Sequence, residues 1–179
     1  GYFIADELPQ DAGDTRWYQP LQDRYDQVKR LTSRPVMVST YRNPVDFLKT
    51  LMHGTDQLMM DYYPYPESPK YGLINDIPAI ARDMHEAAGN NSWFAIQAFS
   101  YYVSEPENIE PFHFPKVPPA VSNQGAPTAN YMVEMARLAL HEGVHNLAFF
   151  HYGYAKAIPG QLTEIQIAVR QIRESSEFG

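Results

Sequence analysis

Residues 57–99 read QLMMDYYPYPESPKYGLINDIPAIARDMHEAAGNNSWFAIQAF, and this stretch decides the fold. It opens with the apolar run Gln57–Asp61, strand-sized and followed by a turn rich in Tyr and Pro. A helical pattern covers Ile74–Ala88 and stops at Gly89, a residue that tolerates the backbone of a helix end. A second apolar run, Trp93–Phe99, closes the stretch. Neither run alternates polar and apolar residues, so both predict strands covered on two faces, as in a parallel sheet. Strand, helix, strand in this order predicts a right-handed crossover.

The same alternation extends outward. Tyr2–Ala5, Val36–Thr40 and Asn146–Phe150 read as further buried strands. Trp17–Leu31 carries apolar or aromatic residues at 17, 18, 21, 25, 28 and 31, close to a helical period. Pro44–Met52 opens with Pro at a first helical position, after Asn43 as the expected cap. Thr128–Glu142 begins on a Thr cap and stops at Gly143, and Leu162–Ile172 forms a last amphipathic helix. Five βα units over residues 1–179 predict one α/β domain with a parallel (β/α) repeat. Two architectures fit: part of a TIM-type barrel, or a five-stranded flavodoxin-like open sheet. The open sheet normally carries a phosphate-cradling loop after its first strand. Here that strand runs into Asp6-Glu7-Leu8-Pro9, whose carboxylates repel phosphate.

Composition narrows the function classes. The formal net charge is −7 and there is no Lys/Arg block, so a nucleic-acid footprint is absent. Cysteine is absent, which excludes disulfides, thiol catalysis and Cys-ligated zinc. No apolar run approaches the roughly 20 residues of a membrane helix. No cofactor is expected. The 13 Tyr and 2 Trp supply flat apolar faces with polar tips, as sugar clefts, large interfaces and ordinary cores all use.

In either architecture ligands bind at the carboxyl ends of the strands. Asp6 and Glu7 follow the first strand; Thr40, Tyr41 and Arg42 the second; Asp61, Tyr62, Tyr63 and Tyr65 the third. Gln97, Phe99, Tyr101 and Tyr102 belong to the fourth, and His151, Tyr152 and Tyr154 to the fifth. Glycosidic cleavage needs a proton donor and a second carboxylate. Glu7 is the candidate acid, Asp61 the second carboxylate, and Asp6 a like charge that raises the proton affinity of Glu7. Tyr41, Arg42, Tyr63, Gln97, Tyr101, His151 and Tyr152 are the candidate sugar-binding residues. The plainer reading of each acid is a helix cap or an ion-pair partner.

Three segments resemble the C-terminal half of glycoside-hydrolase-like (β/α)8 barrels of poorly characterised bacterial families. GYFIADELP (1–9) resembles their fourth strand, where the general acid Glu follows an Asp. DQLMMDYYPYP (56–66) resembles the sixth strand. SWFAIQAFSYY (92–102) and APTANYMVEMARLALHEGVHNLAFFHYGY (126–154) resemble the seventh strand, the helix after it and the eighth strand. The resemblance implies hydrolysis of a poly- or oligosaccharide with Glu7 as the acid, and an extracellular or periplasmic setting. It also implies that the chain is the C-terminal part of a larger barrel, closed by an N-terminal half-barrel segment or by self-association. It carries a departure: many retaining barrel enzymes hold a nucleophilic Glu where this chain has Gln97. The alternative is therefore a non-catalytic carbohydrate-binding barrel fragment.

A competing motif is His141-Glu142-Gly143-Val144-His145, which matches the HExxH pattern of zinc peptidases. On an unbroken helix both His share a face, with Glu142 as general base and Glu164 as a third ligand. Gly143 disfavours that helix by about 1 kcal/mol relative to Ala, and VHNLAFF after it reads as a strand.

Overall fold

The computed structural model describes residues 1–8, 15–67, 72–99, 126–150, 155–156 and 158–175, with backbone alone at residues 6–8. Five strands form one sheet: β1 (Tyr2–Leu8), β2 (Val36–Thr40), β3 (Gln57–Asp61), β4 (Ser92–Gln97) and β5 (Asn146–Phe150). The helices between and after them are α1 (Tyr18–Leu31), α2 (Val45–Leu51), α3 (Ile77–Ala88), α4 (Ala129–His141) and α5 (Gln161–Glu174).

The strand order is β1-β2-β3-β4-β5, and all strands are parallel. This sequential order is the one in which the strands of a (β/α) barrel follow each other. A flavodoxin-like sheet runs 2-1-3-4-5 with a reversal, and that order is not found. Each strand lies beside its neighbours in sequence and the order does not reverse, so the sheet has no topological switch point.

Burial explains the apolar runs. All but one residue of each of β2, β3 and β4 is buried, as expected for strands with neighbours on both sides and cover on both faces. Every residue of the edge strand β5 is only half-buried. On the opposite edge, Tyr2 and Phe3 of β1 are 46% and 50% exposed.

The helices follow their sequence signals with local differences. α3 buries Ile77, Ile80, Ala81, Met84 and Ala88, one stripe at helical spacing. A 3-10 turn, Ile74–Asp76, precedes it, so the regular helix starts later than the apolar pattern. The expected cap Asn43 lies one residue before the observed N-cap, Pro44, and makes no cap hydrogen bond. Its amide turns back instead, donating to Thr40 Oγ1 (3.0 Å) and to the Tyr41 carbonyl (3.1 Å).

Two compact units separate within the chain. The first comprises Gly1–Tyr62, Asn75–Ala95 and Ala136–Ala148; the second comprises Tyr63–Ile74, Ile96–Met135 and Phe149–Gly179. In the first, Asp56 ties β2 to α1: it accepts from Val36 N (2.8 Å), Tyr25 Oη (2.9 Å) and Lys29 Nζ (3.0 Å). In the second, the Glu164 carboxylate of α5 accepts from Ala129 N (2.6 Å), and Gln161 Nε2 donates to the Pro127 carbonyl (3.0 Å). A carboxylate on the free N–H groups of the first turn of α4 is a charge-assisted cap. Among the described residues, no helix is long and apolar enough to cross a membrane.

Candidate functional site

The acidic pair sits where the β1–β2 register breaks. Phe3 pairs with Met37, Ala5 with Val38 and Leu8 with Thr40. Between Ala5 and Leu8 the first strand advances three residues while its partner advances two. The surplus residue falls on the Asp6-Glu7 segment, and a second irregularity lies just before it, between Phe3 and Ala5. Bulges of this kind bend a strand, re-aim its side chains and recur beside active sites. β1 continues past Ala5, where the apolar run ends, so Asp6 and Glu7 belong to the strand rather than follow it. The side chains of Asp6 and Glu7 lie outside the described residues.

The next two strand ends are tied together in the first unit. Asp61 is the last residue of β3, opposite Ala95 of β4, and is 4% exposed. Tyr62, beside it, donates from its hydroxyl to Asp76 Oδ2 (2.7 Å) at the start of α3. The same oxygen lies 3.9 Å from Arg42 Nη1, whose side chain is 60% exposed. Tyr41 is half-buried. Asn43 is 5% exposed, and its Oδ1 is buried without a hydrogen-bond donor among the described residues. An orphaned buried acceptor costs about 1–3 kcal/mol, so Asn43 is a polar group with capacity to spare at the end of β2.

The second unit contains Tyr63 and Gln97. The Tyr63 ring is stacked on Phe150 (5.5 Å, 10°) and meets Phe99 edge-on (5.1 Å, 76°). Gln97 is fully buried. Its Oε1 accepts from Tyr65 N (2.8 Å), and its Nε2 donates to the carbonyls of Tyr65 (2.7 Å) and Phe99 (3.1 Å). Both amide protons are thus used, and the peptide of Tyr65 is clamped from both ends. Tyr101, His151 and Tyr152 lie outside the described residues.

Compared with known proteins, the sequence matches no family model and no curated protein.

The HExxH segment does not take the arrangement that a peptidase needs. α4 ends at His141, and Gly143 has φ +92°, a left-handed backbone that no α-helix contains. His141 is largely exposed and lies beside Glu142, with Nδ1 3.5 Å from its Oε1. His145 instead lies over His85 of α3, ring centroids 5.8 Å apart. Glu142 is ion-paired with Arg82 (2.9 Å), whose hydrogen bond holds its carboxyl below the usual range. Glu164 is committed to capping α4. Among the described residues, no group of three or more His, Asp or Glu is placed to hold a metal ion.

Two roles were not visible in the sequence. Gln97 and Tyr65 are 32 residues apart, and Glu164 and Ala129 are 35 apart, so no local pattern announces either contact. The bulge at Asp6-Glu7 depends on the partner strand and left no signal beyond the unusual density of acid.

Proposed function

We propose that this chain is a carbohydrate-handling sector of a glycoside-hydrolase-like (β/α) barrel, with a poly- or oligosaccharide lying across the carboxyl ends of its strands. The observation that carries the reading is the acidic pair on the bulged end of β1, in the same parallel sheet as the buried Asp61 that ends β3. Glu7 is the acid, Asp61 the second carboxylate and Asp6 the neighbour that keeps a proton on Glu7. Two strand spacings separate the backbones of β1 and β3, about 9–10 Å. That step is of the order of the roughly 5–9.5 Å between the carboxyl groups of glycosidase pairs. Reducing-sugar release from a polysaccharide panel tests it: hydrolysis by the wild type should vanish in Glu7→Gln with the circular dichroism unchanged. Hydrolysis that survives this substitution refutes the assignment of Glu7.

A second reading, sugar binding without cleavage, is favoured by Gln97. β4 ends in an amide rather than a carboxylate, and that amide is fully engaged within the protein. Isothermal titration that detects glycan binding in a protein without turnover selects this reading. In both readings the exposed Tyr2 and Phe3 on the edge strand β1 are where an N-terminal half-barrel segment or a second copy continues the sheet. An extracellular or periplasmic setting fits a polysaccharide substrate.

A further inference from the structure

Within the first unit, the start of α1 and the start of α2 enclose an open depression of about 640 Å³. Its floor is aromatic. Trp17 packs edge-on against Phe47 (5.1 Å, 60°) and against Tyr18 (6.0 Å, 77°). Phe47 is buried, whereas Trp17 and Tyr18 are half-exposed. Gln19, Asp46 and Thr50 stand around these rings, all three exposed. The indole N–H of Trp17 is buried and has no acceptor among the described residues, and the ring packs on Phe47 and Tyr18.

We infer that this depression is a subsite for a neutral sugar residue, outlying from the acidic pair. The inference rests on the carbohydrate reading above and deepens it. The volume falls within the roughly 300–1,000 Å³ of small-molecule sites. Half-exposed Trp and Tyr faces offer the apolar surface on which a pyranose ring lies. Gln19 Nε2 donates to Asp23 Oδ1 (2.8 Å) and the Thr50 hydroxyl to the Asp46 carbonyl (2.9 Å), which leaves the second amide proton of Gln19, its Oε1, the Thr50 oxygen and the Asp46 carboxylate to meet the hydroxyls of a sugar. The sole charge among these six residues is the Asp46 carboxylate. It accepts hydrogen bonds from hydroxyls and repels uronic or sulfated sugars. The location is consistent with a chain of several sugars. α1 and α2 begin after β1 and β2 end, so their first turns stand on the carboxyl side of the sheet, the side on which the strand ends lie.

The test titrates the protein with neutral β-1,4-linked hexasaccharides of glucose, xylose and N-acetylglucosamine, and with an oligogalacturonate. Trp17→Ala should weaken the best neutral ligand by about tenfold, the loss of one stacked ring. Asp46→Asn should weaken it less and should narrow the discrimination against the oligogalacturonate. Because Trp17→Ala also removes a ring from Phe47, a second readout is independent of it. In a Trp93→Phe background Trp17 is the sole tryptophan, and the neutral ligand should shield it from acrylamide quenching. A glycan that binds the wild type with neither variant affected and Trp17 unshielded overturns the subsite and leaves the wider reading standing. If no member of the panel binds the wild type, both fall together.

Discussion

Replacing Gln97 with Glu places a carboxylic acid at the position that the proposed barrel reading matches to a glycosidase nucleophile, and the structure predicts that it gives no enzyme. The amide of Gln97 donates to two carbonyls and accepts from one N–H, with no exposure to solvent. An ionised Glu in that place keeps the N–H bond and faces both carbonyls with no proton to offer. A protonated Glu keeps the N–H bond and donates to one carbonyl, leaving the other unmet. Holding Glu protonated at pH 7 against an ordinary value of about 4.3 costs about 3.7 kcal/mol, at about 1.36 kcal/mol per unit. The one lost hydrogen bond adds about 1 kcal/mol. The variant should therefore be about 4–5 kcal/mol less stable than the wild type at pH 7. The introduced acid has its affinity for a proton raised by folding. Its deficit is small below the unfolded value and grows as pH rises above it, so at pH 4.5 about 1–2 kcal/mol should remain. Urea denaturation followed by circular dichroism at the two pH values, each against the wild type, measures both differences. A variant as stable as the wild type at pH 7, or one equally destabilised at both, refutes the clamp. A gain of hydrolytic activity at position 97 refutes the view that this group serves the Tyr65 peptide.

Asp56 gives a pH dependence of opposite sign. Burial pushes its carboxyl up, but the Val36 N–H, Lys29 and Tyr25 together outweigh burial and hold it below the usual range. That contribution is present above the ordinary value of 3.8 and is lost as pH falls through the lowered one. Asp56→Asn should cost about 1–2 kcal/mol at neutral pH, with the gap closing below about pH 4; a gap unchanged at pH 3 would contradict it. Gly143→Ala forces a side chain onto a backbone with φ +92° and puts its Cβ 2.9 Å from His85 Cγ. The melting temperature should fall by about 4–8 °C, from about 2 kcal/mol of strain; an unchanged melt removes the argument that Gly143 ends α4 for steric reasons.

The strands were the most legible part of the fold. Val36–Thr40, Gln57–Asp61 and Asn146–Phe150 occur with the bounds that their apolar runs predict, the first two buried as expected and the last, at the sheet edge, only half-buried. The ends were harder to read. β4 spans Ser92–Gln97 rather than Trp93–Phe99, and just past its end Ala98 N still donates to the Phe150 carbonyl (2.7 Å). β1 runs three residues past its apolar core because pairing with β2 continues through the bulge. At the candidate site, the sequence placed Asp6, Glu7, Tyr41, Arg42, Asp61 and Tyr63 at or beside strand ends. It did not reveal that Arg42 and Tyr62 converge on Asp76, a contact made by the fold rather than by spacing.

The sequential strand order has a consequence for how the sheet is made. Every pairing joins strands that are consecutive in the chain, so each βα unit closes onto the one synthesised just before it. The sheet can thus be laid down in one direction during synthesis, without waiting for a distant segment to thread between existing strands. Gain or loss of a unit at either edge leaves the pairings of the remaining strands intact, which makes this a sheet that can change length by whole units.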